Sequence, residues 1–125
     1  MSTFGEHIRA LRKARRWSYK RASDELGISQ TYLYRIEAES MAPSEDTIRA
    51  FANVFAEDYD DLMFLSGRMP SDCEAIVTAD ATMPAFLRWA ARKGWSGERL
   101  YAVLRALEPG TLPESPPNGE KAPGS

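Results

Sequence analysis

Apolar positions recur with helical spacing almost from the start of the chain. Phe4, Ile8 and Leu11 stand at i, i+4 and i+7, one stripe of a helix, while Arg9, Arg12, Lys13 and Arg16 cluster on its other side. A second, short helix is expected over residues 19–26, because Ser18 can accept a hydrogen bond from a first-turn amide and Gly27 can take the left-handed conformation that ends a helix. A third is expected to restart at once. Ser29 is its cap, Ile28 is placed to pack on Leu33, and it runs to about Ala38. Pro43 and Ser44 mark a turn and another cap, followed by Ile48, Phe51, Ala52 and Phe55 within one stripe. A fifth helix, capped near Asp58, carries Leu62, Met63 and Leu65 and stops at Gly67, just before the break at Pro70.

Beyond Gly67 the pattern weakens, and three further helical segments are expected, over residues 72–77, 84–92 and 97–107. In the last, Ser96 caps, Trp95 can staple onto Leu100, and Leu100, Val103, Leu104 and Leu107 form an apolar stripe. With Phe86, Leu87, Trp89 and Trp95 this is more apolar area than an 11-residue helix can hide by itself, so a covering surface is required. Either the N-terminal domain or a second subunit could provide it, and a second subunit is the favoured reading. From Glu108 onward the chain is rich in Pro, Gly, Ser and Glu, the composition of a disordered tail. The expected fold is all-α, with a five-helix domain over residues 1–67, a helical extension over 68–107 that mediates dimerisation, and a tail over 108–125.

Two short helices joined by a glycine turn make a helix-turn-helix unit, whose second helix is carried on the surface where it can enter a major groove. On a wheel starting at Gln30, the residues Gln30, Thr31, Tyr34, Arg35 and Ala38 share an arc of about 140°, with Leu33 and Ile36 opposite. The outer arc is chemically suited to base edges. Glutamine offers a donor and acceptor pair to adenine, arginine matches O6 and N7 of guanine, and the threonine methyl can touch that of thymine. Each good bidentate contact discriminates by about 1–3 kcal/mol. Arg9, Lys13 and Arg16 on the first helix, with Ser18, Tyr19, Lys20 and Ser29, are expected on phosphates, where they orient without reading sequence.

Charge sharpens this reading. The whole chain has a formal net charge of −2, yet residues 1–40 carry eight Lys or Arg against five acids, a net of +3 that leaves −5 for the remainder. Seven of those basic residues fall between positions 9 and 21 with no acid among them, a stripe that attracts polyanions whatever the overall balance. Cys73 is the single cysteine and His7 the single histidine, so neither an internal disulfide nor a cluster of soft metal ligands is expected. No apolar run reaches the roughly 18–20 residues of a membrane span and no secretion signal stands at the N-terminus, so a cytoplasmic location is expected.

Residues 4–67 resemble the Cro and phage-repressor (XRE) helix-turn-helix family. The likeness is carried by Ile8-Arg9-Ala10-Leu11-Arg12, Ser18, Leu26-Gly27-Ile28-Ser29-Gln30-Thr31-Tyr32-Leu33, Arg35-Ile36-Glu37 and Pro43-Ser44. The resemblance implies a Cro/repressor-like domain that binds a near-palindromic operator as a dimer. It also implies base contacts from Gln30, Thr31 and Arg35, phosphate contacts from Ser18 and Ser29, and a structural pair of Arg12 and Glu37. Two positions depart from the family pattern. Tyr19 replaces a usual glutamine, and Ala38-Glu39-Ser40-Met41 replaces a basic turn, where Glu39 is expected to repel phosphate. The segment Ser66-Gly67-Arg68-Met69-Pro70-Ser71-Asp72 and the helices after it resemble the extension of short XRE regulators, some of which are paired with an inactivating metallopeptidase.

The fold by itself also allows a protein-interaction module, such as an antitoxin or adaptor. Catalysis is not expected, and no cofactor is called for. The sequence has no Gly-rich phosphate loop, no paired-cysteine motif and no set of residues for a Ser-His-Asp triad beyond one histidine. Asp58, Asp60 and Asp61 are read as acids at a helix start, favoured there by capping and by the helix dipole.

Overall fold

A computed structural model of the protein describes residues 2–110 and Pro113. Most of the expected tail over 108–125 therefore lies outside the described residues. The described chain is helical, and it divides after Pro70 into two compact units. The first holds α1 (Phe4–Ala14), α2 (Tyr19–Leu26), α3 (Gln30–Glu37), α4 (Glu45–Phe55) and α5 (Tyr59–Leu65). The second holds α6 (Ser71–Ala79), α7 (Met83–Arg92) and α8 (Gly97–Leu107).

In the first unit each helix begins at a side chain that satisfies an otherwise unpaired amide. Thr3 accepts from the amide of Glu6, Ser18 from Arg21, Ser29 from Tyr32, Ser44 from Thr47 and Asp58 from Asp61. Gly27 closes α2 at φ 72°, a left-handed conformation that costs a glycine little and a residue with a Cβ much more. The caps thus act as punctuation, and the stripes between them collapse onto one core. Ile8, Leu33, Ile36, Ile48, Phe51, Leu62 and Met63 are almost wholly buried, and the Phe4 ring meets Phe51 edge-on at 6.0 Å. Leu11, Ile28 and Leu65 pack on the edge of this core.

A close approach not visible in the hydrophobic pattern joins α1 to the end of α3. A Cβ placed on Gly5 would lie 2.6–2.7 Å from the carbonyl oxygens of Ile36 and Glu37, so the first turn of α1 touches the last turn of α3 backbone to backbone. The Gly5 amide, one of those left unpaired at a helix start, donates to Glu39 Oε1 at 2.5 Å. Glu39, expected to repel phosphate, instead places its carboxylate at the positive end of α1, where the dipole favours it.

The second unit is built differently. Ser96 caps α8 through the amide of Arg99, and the Trp89 and Trp95 rings meet at 5.5 Å, yet Ala90 is the only buried apolar residue among its described residues. Val103 is 37%, Leu104 50% and Leu107 73% exposed, and Phe86, Leu87 and Trp89 are each more than two-fifths exposed. This unit presents its apolar side chains outward.

Replacing Gly5 by alanine is expected to cost about 1–3 kcal/mol, the usual penalty for forcing atoms into a closed contact. Urea unfolding followed by circular dichroism checks this. A change under about 0.5 kcal/mol would mean that the two helix ends part without strain.

Candidate nucleic-acid interface

The placement of α3 decides what the first unit can bind. Leu33 and Ile36 are fully buried, while Gln30, Thr31, Tyr34, Arg35 and Ala38 stand on the exposed side. The helix is short, and it is fixed at both ends. Gly27 and the Ser29 cap launch it, and its far end is held by the Ser40 amide, which donates to the Arg35 carbonyl at 2.9 Å. Between α3 and α4, the Tyr32 hydroxyl accepts from the Ser44 amide at 3.1 Å and lies 3.4 Å from Thr47 Oγ1.

Beneath the exposed face lies an ion pair. Arg12 Nε donates to Glu37 Oε2 at 2.8 Å and Arg12 Nη2 to Glu37 Oε1 at 3.0 Å, with the two residues only 7% and 8% exposed. The guanidinium also donates to the Trp17 carbonyl at 2.9 Å. Arg12 is therefore not part of the solvated basic face on which its spacing places it. It points inward, and the hydrogen bond to Glu37 outweighs burial and raises its pKa above the ordinary guanidinium value.

Tyr19 completes this cluster. Its hydroxyl donates to Glu37 Oε1 at 3.1 Å, and its ring lies under the Arg12 guanidinium at 4.1 Å. Burial, reinforced by the negative charge of Glu37, pushes the phenol pKa up, which keeps the hydroxyl protonated and donating. The hydroxyl proton expected for a phosphate is committed to an internal acceptor, so an internal role replaces the expected one. The same ring meets Tyr34 on the exposed arc edge-on, with centroids 5.8 Å apart and planes at 66°.

The basic stripe is also divided by the fold. Arg15 donates to the Val54 carbonyl at 2.5 Å and lies over the rings of Trp17 and Phe55, while Arg21 lies over Trp17 and pairs with Glu25 at 3.1 Å. Lys20 pairs with Asp24 at 3.2 Å, an exposed helical pair of little strength that leaves its ammonium accessible. Arg9, Lys13 and Arg16 are exposed and make no ion pair among the described residues. Ser18 and Ser29 are exposed caps whose oxygens accept from amides while their hydroxyl protons remain available. Sequence reasoning assigned no role to Trp17, whose ring collects two arginines. Its only signal was an aromatic residue set within a run of basic ones.

Residues 8–62, somewhat less than half of the chain, match the family described as helix-turn-helix. No curated protein matches the chain. Among solved structures, a chain from a SinR protein/SinI protein complex aligns with 84% of this chain and 94% of its own length, at 21% identity and a TM-score of 0.46.

Substituting Glu37 by alanine strands a buried guanidinium and should cost about 3–5 kcal/mol of stability, whereas an Arg12→Met, Glu37→Leu double variant should recover most of that loss. Chemical denaturation of the three proteins decides it. Equal stability of the single variant and the parent would show that water reaches the pair.

Proposed function

We propose that residues 8–62, which match the helix-turn-helix family, form a DNA-binding domain of the XRE type, and that the chain is a sequence-specific DNA-binding transcriptional regulator. It acts as a repressor that occupies a near-palindromic operator as a homodimer. The observation that carries the reading is the outward face of α3, where an amide, two hydroxyls and a guanidinium stand together above two fully buried anchors, Leu33 and Ile36.

In this reading α3 enters the major groove, with Gln30, Thr31, Tyr34 and Arg35 against base edges. Arg9, Lys13, Arg16, Ser18, Lys20 and Ser29 meet phosphates and supply the salt-dependent part of affinity without reading sequence. One small module makes too few contacts for tight specific binding, so two copies bind half-sites about 34–36 Å apart. The apolar side chains of the second unit supply the self-complementary surface, with Phe86, Leu87, Leu100, Val103, Leu104 and Leu107 at the dimer contact. The exposure of Phe86, Leu87, Val103, Leu104 and Leu107 in the single chain, with Leu100 half-buried beside them, supports this assignment. Repression then follows from occupancy, because a protein bound across the groove excludes other proteins from the same duplex.

Selection of bound duplexes from a random pool tests the base and phosphate assignments together. Arg35→Ala is expected to relax preference at one position in each half-site. Lys13→Ala should weaken binding to all duplexes alike and reduce the slope of log affinity against log salt by about 0.9. A parent protein with no preference over random competitor would leave the interaction-module reading in its place.

For the dimer, Leu104→Glu places a charge on an exposed position of α8 and should leave the helix content intact. Sedimentation is expected to show the parent as a dimer and the variant as a monomer with weakened operator binding. Unchanged mass in the variant would remove α8 from the interface.

A further inference from the structure

We propose that Tyr19 is a positioning residue for DNA reading: its ring, fixed by Arg12 and Glu37, holds the Tyr34 ring in one orientation and so sets the base preference at the position Tyr34 meets. The proposal rests on the DNA-binding reading above and deepens it, because it assigns part of the specificity to a residue outside the recognition helix.

The geometry runs outward from the core in one line. Arg12 and Glu37 are buried, Tyr19 is half-buried against both, and Tyr34 is 58% exposed against Tyr19. An exposed tyrosine on a free helix surface exchanges rotamers within nanoseconds. Here one side of the ring is occupied by a neighbour that is itself held, its hydroxyl bonded to Glu37 and its face covered by a guanidinium. The contact at 5.8 Å and 66° is the edge-to-face geometry that aromatic pairs prefer. Among the candidate reading residues Tyr34 carries the aromatic ring, and that ring meets Tyr19 of α2.

Two consequences follow for binding. A ring oriented before the encounter gives up less freedom on docking, which favours the duplexes that fit that orientation over those that need another. The effect is confined to the base pair under Tyr34, where the ring meets a thymine methyl or the hydroxyl meets a base edge. The salt dependence should be untouched, because the hydroxyl of Tyr19 is turned to Glu37 and not to phosphate.

The test uses the full chain with Tyr19→Leu, Tyr19→Phe, Tyr34→Leu and the Tyr19→Leu, Tyr34→Leu pair, each shown by circular dichroism to be folded. Tyr19→Leu is expected to lower discrimination at the operator position that Tyr34→Leu also affects, by roughly 3- to 10-fold, with the salt slope unchanged. Tyr19→Phe, which loses the bond to Glu37 but keeps the ring and its contact with the Arg12 guanidinium, should retain most of that discrimination. The double variant should discriminate no worse than Tyr34→Leu alone. Losses that multiply in the double variant, or a Tyr19→Leu variant weaker on all duplexes with a shallower salt slope, would overturn the proposal. A readout without DNA separates its failure from that of the regulator reading. Side-chain couplings of Tyr34 measured by nuclear magnetic resonance should report one χ1 rotamer in the parent and in Tyr19→Phe, and averaging in Tyr19→Leu. Averaging in the parent itself would sink the proposal even if operator binding were confirmed.

Discussion

A buried arginine and a buried glutamate fix the rest of the first unit. Arg12 and Glu37 join α1 to α3 through two hydrogen bonds at 2.8 and 3.0 Å, and the remaining polar atoms of the pair are taken up by the Trp17 carbonyl and the Tyr19 hydroxyl. Removing two charges from water is costly, and such a pair adds little net stability compared with apolar residues of the same shape. Its value lies in geometry. A planar guanidinium facing a carboxylate accepts one angle and one distance, whereas leucine against isoleucine accepts many. The pair thus fastens to α1 a helix of eight residues that has two fully buried apolar anchors, Leu33 and Ile36.

The contact between Gly5 and the last turn of α3 works to the same end. The carbonyls of Ile36 and Glu37 sit where a Cβ on Gly5 would be, and Glu39 returns to accept from the Gly5 amide. Both ends of α1 are thus fastened to the far end of α3, one by charge and one by close approach. What remains exposed on α3 is the face that neither contact uses. The basic residues are sorted by the same packing, since Arg12, Arg15 and Arg21 are drawn onto Glu37, Trp17 and Phe55 while Arg9, Lys13 and Arg16 remain in solvent. A stripe that looks uniform in the sequence thus loses Arg12 to the interior, while Arg15 and Arg21 stay exposed but rest on aromatic rings.

The second unit follows another logic. Its three helices bury one alanine among their described apolar side chains and leave the stripe of α8 in water. Aromatic contacts between Phe86, Trp89 and Trp95 give the α7–α8 connection some order without making a closed core. Exposed apolar surface of this kind marks an interaction site, and this is the ground of the proposal that a second copy covers it.

Most helix boundaries were legible in the chain alone, because caps and glycines act within a few residues and need no distant partner. Ser18, Gly27, Ser29, Ser44, Asp58 and Ser96 all lie at the helix boundaries read from the chain, and Ile8, Leu33, Ile48 and Phe51 were legible as core from spacing alone. The candidate reading face was legible for the same reason, since one helical period separates Gln30, Thr31, Tyr34 and Arg35 from Leu33 and Ile36. What each polar group does once the helices meet became visible in the packing. Spacing put Arg12 on a solvated face, and it was the family resemblance that implied its pairing with Glu37; Glu39 was read as opposing phosphate and Tyr19 as contacting it, yet all three turn inward to partners 25, 34 and 18 residues away. Local periodicity carries no information about contacts of that range, because they depend on the angle and distance at which separate helices pack.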